Sequence, residues 1–290
     1  MNEIDANTRV TVITVTYNSA DVVGDMLSSV PPQVPVVIVD NSSGDRPRLR
    51  EIVEKRGGHT RLLENAQNIG FGSACNEGAK EANTEFLLFL NPDAALASGA
   101  LQELVRAADR SPNAVGFNPR IQDKSGRPIL KRRSDLVGRS KWLPRGTLSD
   151  GNLLPVLSGA ALFTRRADFE AVGGFDPNIF LFFEDDDLSL RLSDRRGDLI
   201  YVDRALVEHI GGASSGGSKE SERLKNWHWG HAQIYTLRKH GLGQSCPGAF
   251  AKKGFRPRSP ATLPSPKPPS TTLSRAQSMS QPDPHTYARQ

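Results

Sequence analysis

The sequence has little cysteine and lacks a long apolar segment. Its 290 residues include two cysteines, Cys75 and Cys246, too few for the disulfide framework of a small secreted protein, which favours a reducing compartment. The opening residues MNEIDANTR are polar and lack the apolar core of a signal peptide. Apolar runs such as those at 36–39 and 86–90 have only the length of strands, so no membrane-spanning helix is expected. These absences predict a cytoplasmic protein.

Net positive charge is confined to the C-terminal segment. The net charge is +5, but the residues from Gly241 onward include seven Lys or Arg and one Asp, so the remainder of the chain is nearly neutral. A basic surface for nucleic acid is not indicated, and no nucleic-acid partner is expected. Nine prolines and few apolar residues follow Cys246, and this composition predicts a disordered tail at 241–290.

Apolar, β-branched runs alternate with helical patterns along the first half of the chain. Continuous apolar runs predict strands that are covered on both faces at 10–16, 35–40 and 85–90, with a weaker strand at 61–64. Helices are predicted at 21–30, 49–55, 71–82 and 98–110. This alternation predicts βαβ units and an open, mostly parallel sheet. In the second half we predict strands at 114–117, 156–164, 199–202 and 205–209, and helices at 185–196 and 221–240.

Polar residues follow the first two predicted strands, at the edge where open α/β sheets bind ligands. The first strand ends in TYNS, which contains Thr16 and Asn18, and the second ends in DNSS, which begins with Asp40. The Asp40 carboxylate could accept a hydrogen bond from a base N–H or a ribose hydroxyl. The same residue types also form ordinary turns, so neither cluster alone identifies a ligand.

A glycine-rich segment opens the helix before the third strand. Asn68 and Gly70 lie in the pattern NxxNxGFG, where backbone N–H groups could approach a phosphate or a base. The spacing is not G-x-G-x-x-G and no P-loop lysine follows, which weakens a dinucleotide or ATP interpretation.

Two further segments contain candidate metal ligands. The tripeptide that ends in Asp93 directly follows the most apolar strand, and a carboxylate there could bind a hard divalent cation beside a diphosphate. The alternative is a turn, because Asn-Pro-Asp is turn-prone. His209 precedes a pair of glycines that would suit a mobile cover or a metal ligand, although a lone histidine is more often structural.

Four consecutive acids, residues 184–187, follow a run of aromatic residues. The positive end of a helix dipole accounts for acids at a helix start. It accounts less well for the aromatic run that leads into them. A carboxylate at the edge of an apolar wall would have a raised pKa and could act as a general base.

In this order, the motifs resemble those of the family-2 glycosyltransferases, most closely the bacterial rhamnosyltransferase-like branch. They are TVTYNS, VDNSS, NxxNxGF with Asn76 after it, LNPD, SGAALFTRR, GGFDPNIFLFFEDDDLSLR and VEHIGG. The resemblance covers residues 8–240 and implies a GT-A fold, an α/β fold with a Rossmann-like, mostly parallel sheet flanked by helices. The nucleotide-sugar-binding half would be 8–118 and the acceptor-binding half 119–240.

The resemblance also implies roles for individual residues. The donor would be bound by Thr16, Asn18, Asp40, Asn68, Gly70, Asn91 and Gly159. Asp93 matches the last acid of the D-x-D motif that binds Mg²⁺ or Mn²⁺, and Asn91 replaces the first acid of that motif. His209 matches a position that can add a contact to the metal or to the diphosphate. The Glu184-Asp185 pair matches the general base, with the choice between the two left open.

The implied activity is transfer of a sugar, with inversion, from a nucleotide-diphosphate donor to a polysaccharide or lipid-linked saccharide. The branch suggests L-rhamnose from dTDP-rhamnose. The basic stretch 131–145, with Trp142, would suit a lipid diphosphate acceptor and peripheral contact with the inner face of the membrane, although a solvated loop is the alternative.

Two other classes of protein remain as alternatives. One is a catalytically inactive protein on the same fold that binds a nucleotide sugar or a carbohydrate, and the intact acids at 93, 184 and 185 argue against it. The other is a metal-dependent nucleotidyltransferase or phosphohydrolase, which would require more clustered acids or a Lys/Arg phosphate clamp.

Overall fold

The computed structural model describes residues 3–210 and 219–242. Nearly all of the predicted tail at 241–290, and the glycines that follow His209, lie outside the described residues. Within these ranges the strands are β1 Val10–Thr16, β2 Val36–Asp40, β3 Thr60–Glu64, β4 Phe86–Leu90, β5 Ala94–Leu96, β6 Ala114–Gln122, β7 Ala161–Arg165 and β8 Asp198–His209. The α-helices are α1 Glu3–Arg9, α2 Ala20–Ser29, α3 Arg46–Arg56, α4 Phe71–Lys80, α5 Ala100–Arg110, α6 Arg166–Ala171, α7 Glu184–Arg195 and α8 Lys219–Lys239, with a 3₁₀ turn at Arg139–Lys141.

The described strands form a single mixed sheet in the order β3-β2-β1-β4-β7-β6-β8-β5. Strands β1 to β4 pair in parallel, as predicted from their continuous apolar runs. Strand β7 is antiparallel to β4 and β6, and β5 is antiparallel to β8. The predicted α/β sheet with flanking helices is thus confirmed, whereas the boundary between two halves at 118 and 119 stays a prediction.

Both faces of the sheet are covered, which explains why the central strands are apolar without alternation. In β4, Phe86, Leu88 and Leu90 pack into one buried cluster with residues of α2 and α5. Leu87 and Phe89 face the opposite side and pack with residues of α4 and α7. The helices cover the two faces of the sheet but not the ends of its strands. The carboxyl ends of β1, β2 and β4 therefore remain at the edge where open α/β sheets bind ligands.

The predicted strand at 156–164 is wrong in its first half, since β7 begins only at Ala161. Side-chain oxygens accept hydrogen bonds from backbone amides that would otherwise donate to a neighbouring strand. The Leu157 amide donates to Ser189 Oγ at 2.8 Å, and the Ser158 amide donates to Asn118 Oδ1 at 2.6 Å. Residues 156–160 therefore form a loop.

Two predictions in the last third also needed correction. The strands predicted at 199–202 and 205–209 form one strand, β8, whose pairing with β6 continues through an irregularity. For α8 the helical spacing of Trp227, His231, Ile234 and Leu237 predicted one apolar face. The structure buries Leu237 and leaves Ile234 half-buried, but Trp227 and His231 are exposed and Ala232 is buried beside Leu237.

Candidate active site

A cavity of about 420 Å³ lies at the carboxyl ends of β1 and β4. Eight of the eleven predicted site residues line it: Asn68, Gly70, Asn91, Asp93, Gly159, Glu184, Asp185 and His209. They come from segments spread over more than 140 positions of the chain, so the fold assembles them. The clustering supports their assignment to one site.

The other three predicted residues, Thr16, Asn18 and Asp40, are not part of the lining of this cavity. Asp40 is fully buried, and its carboxylate accepts a 2.6 Å hydrogen bond from Arg46 Nε. Asn18 Oδ1 accepts a hydrogen bond from the Gly44 amide at 2.7 Å. These contacts join the loops that follow β1 and β2, and direct binding of the nucleoside by the three residues stays a prediction.

The loop that precedes α4 is held by Asn41, which we did not predict as a site residue. Its amide nitrogen donates to Asn68 Oδ1 at 2.7 Å and to the Gly70 carbonyl at 3.2 Å. Its oxygen accepts a hydrogen bond from the Ile69 amide at 3.0 Å. The pattern DNSS contained one signal, because an asparagine that directly follows a buried strand can bond to a neighbouring loop.

Gly70 has no acceptable substitute at this position. Its φ is +88°, and a Cβ atom on it would lie 2.5 Å from the carbonyl oxygen of Phe180. The Phe71 amide donates to the same carbonyl at 3.0 Å. The glycine therefore allows the loop to approach the segment that leads into the four acids.

Asp93 and His209 lie side by side in the lining of the cavity. Strand β5 pairs with β8 so that Ala94 is opposite His209, and the Ile210 amide donates to the Asp93 carbonyl at 3.0 Å. Asp93 Oδ1 lies 3.1 Å from His209 Nε2, and Asn91 Nδ2 lies 3.3 Å from the same nitrogen. Strand pairing thus brings together the two predicted metal ligands across 116 positions.

The environment of this pair fits a divalent cation. Asp93 Oδ2 and His209 Nδ1 are both buried, and neither has a hydrogen-bond partner among the described residues. A buried carboxylate oxygen without a partner is costly unless a cation compensates it. No group of three or more His, Cys, Asp or Glu suited to a metal occurs within 3–210 and 219–242, so further ligands would come from a diphosphate or from water.

The four acids form the first turn of α7, and the backbone before them is unusual. Phe182 and Phe183 both have positive φ values, 68° and 63°, which is uncommon for bulky residues. This turn directs Glu184 and Asp185 into the cavity lining. Burial of Glu184, together with the negative charge of Asp185, raises the pKa of the Glu184 carboxyl to about 8.

The Asp185 carboxylate is held by three donors. The Gly159 amide donates to Oδ2 at 2.8 Å, Lys131 Nζ donates to Oδ1 at 2.8 Å, and the Asp186 amide donates to Oδ1 at 2.9 Å. Lys131 also lies 2.7 Å from Asp186 Oδ2. The sequence placed Lys131 only within a basic stretch, and its contact with these acids was not predicted.

A second cavity of about 430 Å³ lies on the other side of the acids. It shares Phe182, Glu184 and Asp185 with the first cavity, and Lys131 and Trp229 contribute to its lining. The acids therefore form a wall between two cavities. A group at this wall could accept a proton from a molecule in one cavity while a second molecule lies in the other.

Residues 11–173 match the family model described as glycosyl transferase family 2. The chain is 31% identical over 212 residues to the N-acetylglucosaminyl-diphospho-decaprenol L-rhamnosyltransferase of Mycobacterium tuberculosis, a match that covers 63% of this chain and 68% of the relative. It is 25% identical over 178 residues to the rhamnosyltransferase WbbL of Escherichia coli K12, covering 57% and 67% of the two chains.

Solved structures show the same fold at low sequence identity. Residues 1–349 of Staphylococcus aureus TarS superpose with a TM-score of 0.56 at 16% identity, covering 83% of this chain and 76% of TarS. The mannosyltransferase PcManGT of Pyrobaculum calidifontis, in complex with GDP-Man and Mn²⁺, gives a TM-score of 0.54 at 18% identity and covers 86% and 76% of the two chains.

Proposed function

Because the chain belongs to glycosyl transferase family 2, we propose that it transfers a sugar from a nucleotide-diphosphate donor to a saccharide hydroxyl, with inversion at the anomeric carbon. One observation carries the proposal. The Asp93–His209 pair and the Glu184–Asp185 pair line one cavity, and of the two only the Glu184–Asp185 pair also lines the second cavity. A leaving diphosphate beside Asp93 and an acceptor hydroxyl beside Asp185 would therefore meet different residues.

The donor nucleotide sugar would occupy the first cavity. We propose dTDP-rhamnose, because two relatives are rhamnosyltransferases by name. Asn68 and Gly70 would lie beside it on the loop before α4, and Gly159 would line the same cavity. Thr16, Asn18 and Asp40 would support the nucleoside end through the loops that follow β1 and β2.

Asp93 and His209 would hold Mg²⁺ or Mn²⁺, with Asn91 beside them. The ion, when bound, would neutralise the negative charge of the leaving diphosphate. The protein contribution at this place is a buried, unpartnered carboxylate oxygen, Asp93 Oδ2, and a histidine held within 3.1 Å of the other oxygen. The mannosyltransferase PcManGT with this fold was solved with Mn²⁺, which supports a divalent metal in the reaction.

We assign the general base to Asp185 and not to Glu184. Burial and the charge of Asp185 raise the pKa of Glu184 to about 8, which favours the protonated form of Glu184 at neutral pH, and a protonated carboxyl is a poor base. Asp185 is held in one orientation by Lys131 and by two backbone amides. An acceptor hydroxyl that enters through the second cavity would meet this carboxylate, which would take the hydroxyl proton as the oxygen attacks the anomeric carbon.

The acceptor is proposed to be a polysaccharide or a lipid-linked saccharide. The name of the mycobacterial relative specifies a saccharide joined to decaprenol through a diphosphate. No helix within 3–210 and 219–242 is long and apolar enough to cross a membrane. We propose that the protein works in the cytoplasm and contacts the inner face of the membrane through the basic stretch 131–145.

Incubation with a panel of nucleotide sugars tests the proposed function. Release of a nucleoside diphosphate that depends on a saccharide acceptor, with inverted configuration in the product by NMR, is the expected result. Binding without turnover would instead favour a carbohydrate-binding protein. Release of inorganic diphosphate would favour a nucleotidyltransferase. Retained configuration in the product would contradict the roles given to Asp185 and to the metal site.

A further inference from the structure

A lysine from the segment between β6 and β7 reaches the acids of α7. Lys131 Nζ lies 2.8 Å from Asp185 Oδ1 and 2.7 Å from Asp186 Oδ2. The lysine side chain is 29% exposed, and the side chains of the two aspartates are 13% and 6% exposed. One ammonium group therefore bridges two neighbouring, nearly buried carboxylates.

This bridge differs from the contacts of the basic residues beside it. Arg132 donates to the carbonyl oxygens of Pro144 and Gly146, and the Arg133 guanidinium lies over the Trp142 ring at 5.8 Å. Lys131 is thus the residue of the Lys-Arg-Arg run that turns inward to the acids. Its role is separate from that of an outward-facing basic surface.

The acids at the start of α7 need compensation because they repel one another. Glu184, Asp185 and Asp186 are each at most 9% exposed. The end of the helix dipole stabilises negative charge there only in part. Asp187 is matched separately, by Arg191 and Lys239 at 2.7 Å each. Lys131 is therefore the cation placed on the Asp185–Asp186 pair.

We propose that Lys131 is a positioning residue for the transfer reaction, because its bridge to Asp186 holds the Asp185 carboxylate at the wall between the two cavities. The inference rests on the proposed function and on the assignment of Asp185 as base. Lysine supplies a compact charge on a flexible stem, and two anionic partners at once restrict it to one position. The Gly159 amide then fixes the other oxygen of Asp185 at 2.8 Å.

Other titratable groups surround these acids. The described groups that face them or line the two cavities with them are Tyr17, Cys75, Asp93, Arg133, Asp135, His209 and Lys225. Loss of Lys131 would remove a cation that opposes the effect of burial on the pKa of Glu184 and of Asp186. The acid limb of the pH–rate profile should then move to higher pH, a change that a purely structural loss would not produce.

The test compares K131M with K131R, using acceptor-dependent release of nucleoside diphosphate from pH 5 to 9. We expect K131M to lower kcat about 10- to 100-fold at neutral pH, to leave the KM for the donor nearly unchanged, and to regain activity at high pH. K131R keeps the charge and should recover part of kcat. The matched control is K124M, which removes an exposed lysine from the β6–β7 segment and should behave as the wild type.

K131M could fail to fold, because it leaves two buried carboxylates without their cation. The double variant K131M/D186N removes one acid together with the lysine and should fold, yet it still lacks the bridge and should show the same loss of kcat. Wild-type kcat in either folded variant would overturn the proposal, as would an equal loss at every pH. A wild-type protein that cleaves no donor contradicts the proposed function, whereas an active wild type with an unaffected K131M contradicts only the role of Lys131.

Discussion

Asp93 is a buried acid whose second oxygen has no hydrogen-bond partner in the described part of the chain. Such a group costs stability unless the site is completed by a ligand. A strand-ending turn would not require this arrangement, because turn aspartates usually bond to nearby backbone amides. The contact with His209, 116 positions away, further separates Asp93 from an ordinary turn residue. The burial and contacts of Asp93 therefore favour a role in binding a ligand.

The variant D93N should abolish metal-dependent transfer without unfolding the protein. The amide has nearly the same shape but no charge, so we expect kcat to fall by about 100-fold or more and added Mn²⁺ or Mg²⁺ to restore little activity. Nucleoside diphosphate release during a metal titration measures this, with D25N on the exposed face of α2 as control. An unchanged metal response in folded D93N would remove Asp93 from the mechanism.

D185N tests the choice of base. The general-base contribution is worth about 10²- to 10⁴-fold, and we expect kcat to fall within that range while the donor still binds. Isothermal titration with the nucleoside diphosphate separates binding from catalysis. If D185N kept most of its activity while E184Q lost it, the assignment of the base to Asp185 would be wrong.

The raised pKa of Glu184 predicts that the stability of the folded protein depends on pH. Burial and the charge of Asp185 raise the Glu184 pKa to about 8 in the folded protein, against about 4.3 for an unfolded chain. Between these two pKa values the Glu184 carboxyl is mostly ionised in the unfolded chain and mostly protonated in the folded protein. The folded state therefore loses stability as pH rises through this range. E184Q imitates the protonated acid and should be more stable than wild type by a few kcal/mol at pH 8, and no more stable at pH 4. Urea unfolding at both pH values measures the difference, and an E184Q gain that is equal at pH 4 and pH 8 would contradict the raised pKa.

At the scale of elements, the loop before α4 sets the distance between the sheet and the acids. The loop adopts its path because Asn41 bonds to Asn68 and Gly70, and because Gly70 leaves room for the Phe180 carbonyl. The Phe180 ring in turn stacks on His228 of α8 at 4.4 Å. One contact at a glycine thus links α4, the aromatic run and α8.

Gly70→Ala should destabilise the protein more than an alanine at another glycine with a similar φ. Gly126 has a φ of +81° and open space around its Cα, whereas a Cβ on Gly70 would lie 2.5 Å from a backbone oxygen. We expect a loss of about 1 kcal/mol for Gly126→Ala, from the left-handed conformation alone, and of about 3 kcal/mol or more for Gly70→Ala. Thermal or urea unfolding compares the two, and equal losses would contradict the close approach.

The elements that could be predicted from the sequence are those whose residue pattern is local, within the element itself. Strands β1, β2 and β4 were found because burial on both faces makes them continuously apolar. The segment 156–160 was misassigned because its amides bond to the side chains of Asn118, Asp185 and Ser189. Those partners are between 26 and 40 positions away, so no local pattern reports them.

The same distinction applies to the site. Five of the eight predicted residues that line the cavity lie at or after the carboxyl ends of β3, β4 and β8, and residues at such ends tend to meet at the ligand-binding edge of an open sheet. The other three come from the loop before β7 and from the start of α7. Lys131, Arg46 and Asn41 were missed because their importance depends on a partner distant in sequence. Lys131 is 54 positions from Asp185, and Arg46 binds a carboxylate that the sequence had assigned to the nucleoside. A basic residue in a loop gives no local sign of which acid it meets.

In the molecule as a whole, the topology of the sheet brings the two candidate metal ligands together. Asp93 follows β4 and directly precedes β5, and His209 ends β8, the strand that pairs with β5. Helix α8 is tied to α7 through Asp187, which Lys239 and His240 contact at 2.7 and 2.9 Å. The acids are therefore held from the sheet side by Gly159 and from the C-terminal helix by this ion-pair cluster.

The outward basic residues of the segment between β6 and β7 give the last prediction. Arg139, Lys141 and Arg145 are exposed, and Trp142 lies half-buried beside the Arg139 guanidinium at 5.7 Å. A juxtaposed tryptophan and basic cluster is suited to an anionic membrane surface, where each Lys or Arg contributes about 1 kcal/mol. The triple reversal R139E/K141E/R145E leaves Lys131 and Arg133 at the cavities intact.

Flotation with phosphatidylserine vesicles at low salt measures this contact. Wild type should float, and the triple variant should bind at least about 10-fold more weakly, because three attractions become repulsions. The control K55E/K80E/R110E changes the net charge equally, at exposed positions outside this segment, and should still float. High salt or neutral phosphatidylcholine vesicles should release wild type. Equal flotation of both triple variants would show that the segment is a solvated loop and that lipid-linked acceptors reach the site without it.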